Sequence, residues 1–242
     1  MPQSLQSYIE ASQAAETETT LFHAFDLFAG SYGVDVTSYH IVSHQLRSVP
    51  VDVGLVRETF PPDWVRKYLA NDYSKIDPVL QQSRREARPF HWFDVGERLQ
   101  LSQVQQDFLE ELRGAGLSDG LAVPVFGPNG TMAYFGLGTC GGDLHLPQEQ
   151  ELELQFACQQ THNRYLDISG HNDPKPAVNL SGREKEIMGL IATGLSNNLI
   201  AERLGISENT VDTIIRRAFK KLGVNNRISA VLRAVGSGLV LP

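Results

Sequence analysis

The sequence has few of the features that mark exported, membrane-bound or metal-dependent proteins. No apolar run reaches the roughly 18 residues that a membrane-spanning helix needs, and the first 20 residues are polar and acidic. Cys140 and Cys158 are the only cysteines, and they have neither metal-ligand spacing nor the density of a disulfide scaffold. These absences predict a cytoplasmic protein with free thiols, without a bound metal and without a membrane partner.

Motifs for catalysis are also missing. The chain contains seven histidines, but it has no Gly-x-Ser-x-Gly nucleophile elbow and no clustered metal-ligand motif. We therefore expect no catalytic residue and no cofactor, and a hydrolytic enzyme is the least favoured function.

Positive charge is scarce in the first 174 residues. They hold 11 Lys and Arg against 23 Asp and Glu, a net charge of −12, whereas residues 175 to 242 hold 10 against 5, a net charge of +5. Neutralisation of phosphates supplies most non-specific DNA affinity. The imbalance predicts two unlike parts, of which only the second binds nucleic acid.

The second part contains four helix-start signals in about 50 residues. Capping side chains are expected at Ser181, Ser196, Ser207 and Asn226, and Gly194 and Gly205 are expected to end the first two helices. Ser181 and Glu184 fit a capping box, in which each side chain bonds the other residue's backbone N–H. Two short helices joined by a tight turn form the helix-turn-helix arrangement that enters a major groove. The alternative is a small helical bundle with a solvated basic face.

The third predicted helix has one apolar stripe and one polar face. The stripe consists of Val211, Ile214, Ile215, Ala218, Phe219 and Leu222. The polar face supplies the candidate DNA-binding residues, which are Asn209, Thr210, Asp212, Thr213, Arg216, Arg217, Lys220 and Lys221.

The first part alternates helical and strand patterns. Helices are expected at about 3–14, 18–31, 102–113 and 147–167, with another starting at Pro61 and Pro62. Strands are expected at 34–43, within 51–60, in the FHWF segment, and at 121–126 and 131–139, where Asn129-Gly130 suits a hairpin turn. The pattern predicts an α+β fold, in which helices sandwich an antiparallel sheet and leave room for a small ligand.

One segment of the first part is rich in large side chains with a polar atom. Trp64 and Tyr68 lie four residues apart, which places them on the same face of a helix, while Asp77 precedes Pro78 and Trp92 follows later. These residues are either core aromatics with a helix cap or the lining of a ligand site. The residues alone leave both possibilities open.

The whole chain resembles the LuxR-type transcription factors of bacterial quorum sensing. In the second part, the matching positions include Arg183-Glu184, Ile200-Ala201, Thr210-Val211 and Lys221-Leu222. In the first part, Trp64, Tyr68, Asp77-Pro78-Val79, Trp92 and Gly120 fall at the family's spacing. The resemblance implies an acyl-homoserine-lactone-binding domain at 1–167, a linker at 168–178 and an all-α, four-helix helix-turn-helix domain at 179–242.

The resemblance also implies roles for the matching residues. The Trp64 indole N–H would donate to the lactone carbonyl, and the Asp77 carboxylate would accept from the ligand amide. Tyr68 and Trp92 would pack on the ligand, and Gly120 would allow a close backbone turn. Val79 completes the motif and is expected to contact the ligand.

In the first part, two positions depart from the family pattern. Phe60 replaces a Tyr whose hydroxyl often reaches the acyl carbonyl, and Gly136, followed by Gly138, stands where Ser or Thr is common. We expect a wider or less polar pocket for a bulky acyl group.

In the helix-turn-helix, Arg216 stands where relatives commonly contact bases, and an Arg can bond guanine O6 and N7 together. Arg217, Lys220 and Lys221 suit phosphates better.

The implied partners are promoter DNA, an autoinducer, a second copy of the chain and RNA polymerase. Ligand binding would favour a homodimer on an inverted repeat. Three alternatives remain: a sensor of another small molecule such as a plant compound, an enzyme, and a response regulator, which the hairpins of the first part argue against.

Overall fold

A computed structural model describes residues 4–43, 54–128, 131–170 and 178–240. The chain divides into two compact units, and the boundary between them falls between residues 172 and 173. The predicted hairpin turn at Asn129-Gly130 and residues 171–177 of the predicted linker lie outside the described residues.

The first unit begins with two helices, as predicted. Helix α1 spans Leu5–Ala14 and α2 spans Glu18–Gly30, and each begins at a hydroxyl cap, Ser4 for α1 and Thr17 for α2. The long helix α7, Gln148–Ile168, packs against both of them. These three helices form one layer of the unit.

Five antiparallel strands form the middle layer. They are β1 (Val36–Ser43), β2 (Gly54–Glu58), β3 (Phe90–His91), β4 (Asp119–Phe126) and β5 (Met132–Thr139), in the spatial order β2-β1-β5-β4-β3. β4 and β5 pair from Asp119↔Thr139 to Phe126↔Met132, which confirms the predicted hairpin strands. The expected strand within 51–60 is β2.

Helices α3 to α6, numbered in sequence order, lie on the other face of the sheet. They span Pro62–Ala70, Pro78–Ser83, Val95–Arg98 and Gln103–Gly114. The FHWF prediction was wrong in part, since only Phe90 and His91 form a strand and Trp92–Asp94 form a 3-10 turn. This short strand pairs only with β4 at the edge of the sheet, and the chain leaves the sheet before Trp92.

Alternation along the strands produces one apolar core on each face of the sheet. Tyr39 and Ile41 of β1 pack with α1, α2 and α7 residues, among them Phe22, Phe25 and Leu154. The opposite core contains Trp64, Tyr68, Trp92, Phe108 and Tyr134. The unit is therefore the predicted α-β-α sandwich, and the second core surrounds the candidate site.

The second unit consists of four helices. They are α8 (Gly182–Ala192), α9 (Asn197–Leu204), α10 (Glu208–Leu222) and α11 (Arg227–Gly236), which confirms the all-α prediction. Ser181 and Glu184 form the predicted capping box, and Ser207 and Asn226 accept from backbone N–H groups. Gly205 ends α9 with φ of 65°, a conformation that glycine adopts without steric cost. None of the helices in the described ranges is long and apolar enough to cross a membrane.

Candidate ligand pocket and nucleic-acid interface

The first unit contains a pocket between the sheet and the helices of the second core. Seven of the eight predicted ligand-binding residues line it: Phe60, Trp64, Tyr68, Asp77, Val79, Trp92 and Gly136. The eighth, Gly120, lies under the Trp92 ring rather than in the pocket lining. The free volume is about 40 Å³, which is enough for a few water molecules at most. An acyl ligand therefore requires side chains of the pocket to move.

Helix α3 brings two of these residues together. Pro61 and Pro62 start the helix, and the spacing of four residues places Trp64 and Tyr68 on its buried face. The Trp64 ring packs 5.6 Å from that of Phe108 and 6.3 Å from that of Tyr68, centroid to centroid. Trp64 is only 4% exposed, yet its indole N–H has no hydrogen-bond partner among the described residues. It can donate to a molecule in the pocket.

Asp77 is a helix cap and a pocket residue at once. Its Oδ1 accepts from the backbone N–H groups of Val79 at 2.8 Å and Leu80 at 3.1 Å, which start α4, and its Oδ2 accepts from the Tyr68 hydroxyl at 2.9 Å. Burial raises the pKa of Asp77 to about 6, although these donors act in the opposite direction. Burial beside the Asp77 carboxylate also raises the pKa of Tyr68, which stays a neutral donor.

Three glycines explain the position of the Trp92 ring. A Cβ added at Gly120 or Gly138 would lie 2.5 Å or 2.6 Å from indole atoms, and one at Gly136 would lie 3.3 Å away. Trp92 therefore packs directly on the backbone of β4 and β5, with the Phe60 ring 5.7 Å away in an edge-on arrangement. From the sequence, Gly136 and Gly138 were expected to leave room for the acyl group. The Trp92 indole fills that space instead, so the two glycines do not by themselves widen the pocket.

The sequence interpretation missed the polar part of the pocket. Ser38, His40 and Glu58 also line it, together with Tyr134, whose ring stacks on that of His40 at 4.6 Å. Burial lowers the pKa of His40 to about 3. Alternation along β1 had placed Ser38 and His40 on one face, but the sequence carries no signal for which face borders the pocket. No group of three or more His, Cys, Asp or Glu suited to a metal ion occurs within the described ranges.

In the second unit, helix α10 presents the predicted DNA-binding residues along its outer face. Six of them line one shallow groove, and these are Asn209, Asp212, Thr213, Arg216, Arg217 and Lys220. The opposite face of the helix buries Val211, Ile215, Ala218 and Leu222. The amphipathic pattern read from the sequence thus leaves the polar side chains available to a partner.

Several residues of this set form contacts at the start of the helix or along its surface. Thr210 shares a 2.8 Å hydrogen bond with the hydroxyl of the cap Ser207. Arg216 Nε lies 2.8 Å from Asp212 Oδ2, with the Arg216 side chain 79% exposed. An exposed pair of this kind stabilises a helix by only about 0.3–0.5 kcal/mol. Arg216 can therefore exchange Asp212 for a base or a phosphate at little cost.

Lys221 differs from the other basic residues of α10. Its Nζ donates to Glu184 Oε2 at 2.7 Å, and the same oxygen accepts from the Ser181 backbone N–H at 2.7 Å. Burial alone would raise the pKa of Glu184, but the hydrogen bonds from Lys221 and Ser181 outweigh it and lower the pKa. Lys221 therefore ties the end of α10 to the start of α8, a role that competes with a phosphate contact.

Two family models match the chain, one in each unit. Residues 17–165 match the autoinducer binding domain, and residues 178–234 match the bacterial regulatory proteins of the luxR family. The first match covers more than half of the sequence. The chain belongs to the LuxR family of quorum-sensing regulators. The family assignment confirms the resemblance seen in the sequence, and LuxR-family proteins are transcriptional regulators that bind DNA through the helix-turn-helix.

Relatives extend over most of the chain. A putative HTH-type transcriptional regulator, y4qH of Sinorhizobium fredii, is 31% identical over 91% of this chain and 68% of its own. The transcriptional activator protein AnoR of Acinetobacter nosocomialis is 28% identical over 96% of this chain and 97% of its own. The sequence similarity therefore extends over nearly the full length of this chain.

A solved structure has the same architecture. SdiA of Escherichia coli superimposes with a TM-score of 0.74 at 25% identity, covering 98% of both chains. A second SdiA structure, in complex with octanoyl-rac-glycerol, gives a TM-score of 0.72 over 97% of this chain and 94% of that one. That relative holds an acyl ligand which is not a lactone.

Proposed function

We propose that the protein is a ligand-responsive transcriptional regulator that binds an N-acyl-homoserine lactone and, as a homodimer, an inverted-repeat promoter site. The observation that carries the proposal is the pair of polar atoms on the helical wall of one apolar pocket. The unpartnered Trp64 N–H offers a donor for the lactone carbonyl, and the Asp77 carboxylate offers an acceptor for the ligand amide. Each of these pairings satisfies a buried polar group.

The small free volume supports a ligand-linked switch. Pockets for small molecules typically enclose about 300–1,000 Å³, whereas this one leaves about 40 Å³. Binding must therefore rearrange the second core, and a ligand that binds only the folded unit stabilises it. We extend the proposal to a bulky acyl group, since Phe60 contributes an apolar edge beside Trp92.

On the DNA side, we propose that Arg216 reads bases while Arg217 and Lys220 hold phosphates. The support is their exposure in one groove of α10 with Asn209, Asp212 and Thr213. A two-fold dimer would place two such helices in half-sites about one helical turn apart. RNA polymerase is the partner that a regulator at such a site would act on.

The Trp64→Phe variant tests the ligand assignment directly. It keeps an aromatic ring and removes only the indole N–H, so lactone affinity should fall by roughly tenfold or more, which corresponds to about 1–3 kcal/mol. The N-cyclopentyl amide of the same fatty acid has the ligand amide without the lactone carbonyl, and its affinity should change little. Isothermal titration calorimetry with both compounds measures the difference. Equal losses for the two compounds would contradict the assignment.

A second candidate is a regulator of the same fold that senses a non-lactone molecule. The observation in its favour is the relative with octanoyl-rac-glycerol bound. Phe60, which lacks the hydroxyl that often reaches an acyl carbonyl, is consistent with it. Mass spectrometry of small molecules that co-purify with the protein separates this candidate from the lactone.

A further inference from the structure

A group of polar side chains forms part of the sheet wall of the pocket. Ser38 and His40 share one face of β1, and Glu58 of β2 is the antiparallel partner of Ser38. All three line the pocket. Cross-strand partners project side chains from the same face of a sheet, so the three belong together, and we call Ser38, His40 and Glu58 the polar wall. Trp64 and Asp77 lie on the helical side instead.

The polar wall is largely buried and is not satisfied by the protein itself. Ser38 is 3% exposed, His40 is 9% exposed and Glu58 is half-buried. Within the ranges that the structure describes, none of the three side chains forms a hydrogen bond or an ion pair. Their packing neighbours are aromatic, with the His40 ring stacked on Tyr134 and 6.4 Å from the Tyr68 ring. A plain alkyl chain in the pocket would offer these polar groups no hydrogen-bond partner, and only His40 and Glu58 also line a second cavity that water can reach.

Gly136 keeps the polar wall open to the pocket. It is the β5 partner of Ser38, and a Cβ at this position would lie 2.6 Å from Ser38 Oγ. The missing side chain therefore leaves the Ser38 hydroxyl facing the free volume. Gly136 is also one of the positions at which the sequence departs from the family pattern. In the structure, its effect is to expose the Ser38 hydroxyl rather than to widen the pocket.

The hydrogen-bonding capacity of the polar wall indicates what it recognises. The Glu58 carboxylate only accepts, a neutral imidazole has one N–H donor and one acceptor, and the Ser38 hydroxyl does both. The lowered pKa of His40 keeps its ring neutral near neutral pH. A ligand hydroxyl matches this set, since it donates to a carboxylate and accepts from an N–H or O–H. A ketone oxygen would leave Glu58 without a donor.

We propose that the ligand carries a hydroxyl group on its acyl portion, and that Ser38, His40 and Glu58 recognise this hydroxyl. This inference rests on the proposed function, because it assigns the acyl end of the same pocket. It names a ligand class in which the headgroup meets Trp64 and Asp77, and a hydroxylated aliphatic acyl group meets the sheet.

Calorimetry on the full-length protein with a matched ligand series tests the inference. The series consists of octanoyl, β-hydroxyoctanoyl, β-oxooctanoyl and terminally hydroxylated octanoyl homoserine lactones. At least one hydroxylated lactone should bind about tenfold more tightly than the octanoyl and β-oxooctanoyl lactones, as expected for one added hydrogen bond to a buried polar group. Equal affinities, or the tightest binding by the β-oxo compound, would overturn the inference.

Two variants assign the preference to the polar wall. Glu58→Gln, and the double variant Ser38→Ala with His40→Phe, should each reduce the ratio of hydroxylated-lactone affinity to octanoyl-lactone affinity at least threefold. Glu110→Gln is the matched control, since Glu110 is an exposed carboxylate outside the pocket. A preference that persists in both variants would overturn the assignment. The series with the unmodified protein decides the ligand class even where a variant does not fold.

A parallel pair of glycerol esters separates this inference from the proposed function. Octanoyl glycerol is compared with β-hydroxyoctanoyl glycerol under the same conditions. Binding of the esters but of no lactone, with the hydroxylated ester preferred, would overturn the lactone assignment and support the polar wall. Lactone binding without a hydroxyl preference would do the reverse. No binding by any compound of either series would overturn both.

Discussion

At the residue scale, Asp77 links ligand binding to pH. Burial raises its pKa to about 6, so the carboxylate that we propose as acceptor for the ligand amide is ionised at neutral pH and protonated in mild acid. Between pH 7 and pH 5, lactone affinity should fall by roughly tenfold, because a site that needs the ionised form loses about a factor of ten per unit below its pKa. Calorimetry across this range measures it. A flat profile would contradict the role of Asp77.

The same pKa has the opposite consequence for the unliganded fold. Because the folded pKa of Asp77 lies above its ordinary value of 3.8, this group's contribution to stability is fully present below about pH 4 and is lost as the pH rises through 6. Asp77→Asn should remove the pH dependence of ligand affinity while also weakening binding at pH 7. It serves as the control for the titration.

Gly138 provides a second test at this scale. Gly138→Ala would place a Cβ 2.6 Å from the Trp92 ring, and forcing the indole off the sheet should cost about 1–3 kcal/mol of stability and weaken ligand binding. Gly141→Ala is the control, since nothing lies within 4 Å of its Cβ position. Thermal unfolding should show a lower Tm for the first variant only. Equal Tm values for the two variants would contradict the packing of the Trp92 ring on the backbone at Gly138.

The residues of the site were predictable only where a motif fixed them. Trp64, Tyr68, Asp77 and Trp92 could be identified from their spacing. The polar wall could not, because a strand pattern gives alternation but not the identity of the layer on each face. The contact between Trp92 and Gly138 joins positions 46 residues apart, and sequence patterns carry no information on such a contact.

At the scale of elements, α10 combines an anchor and a binding surface. Lys221 is bonded to the buried Glu184, whereas its neighbour Lys220 lies in the exposed groove. Lys221→Met should lower the Tm of the protein, since it leaves Glu184 without its cation at a cost of roughly 1–3 kcal/mol. Lys220→Met removes the same charge without this loss, and its Tm should be unchanged.

DNA titrations at several salt concentrations complete the comparison. Lys220→Met should weaken binding to all sequences and reduce the salt slope by about one, as expected for one lost phosphate contact. A larger loss of Tm for Lys220→Met than for Lys221→Met would show that the roles of the two lysines are reversed.

The elements themselves were largely predictable because their boundaries are set locally. Capping residues and glycines fix the ends of α8 and α10, alternation identified β1, and the turn signal at Asn129-Gly130 identified β4 and β5. The exception was the FHWF segment, where four strand-forming residues yield a two-residue strand. Trp92 leaves the sheet for the pocket, and that tertiary contact outweighs β propensity.

At the scale of the whole molecule, two units of opposite charge divide the work between them. The acidic first unit holds the pocket, and the basic second unit carries α10. Family membership gives the chain a regulator's role, and we propose that occupancy of the pocket controls the affinity of the dimer for DNA. The small free volume of the pocket supports this coupling. A ligand has to rearrange the side chains of the second core, so the liganded and unliganded forms of the first unit differ in packing.

The most direct test measures DNA affinity with and without ligand. The DNA is the sequence that the purified protein enriches from a random pool, and the ligand is the lactone, from butanoyl to dodecanoyl, that raises the Tm most. Electrophoretic mobility titrations should give dissociation constants that differ by at least about tenfold, a typical allosteric coupling, and Asp77→Asn should reduce the difference. Identical constants in the two conditions would contradict the ligand-switch account.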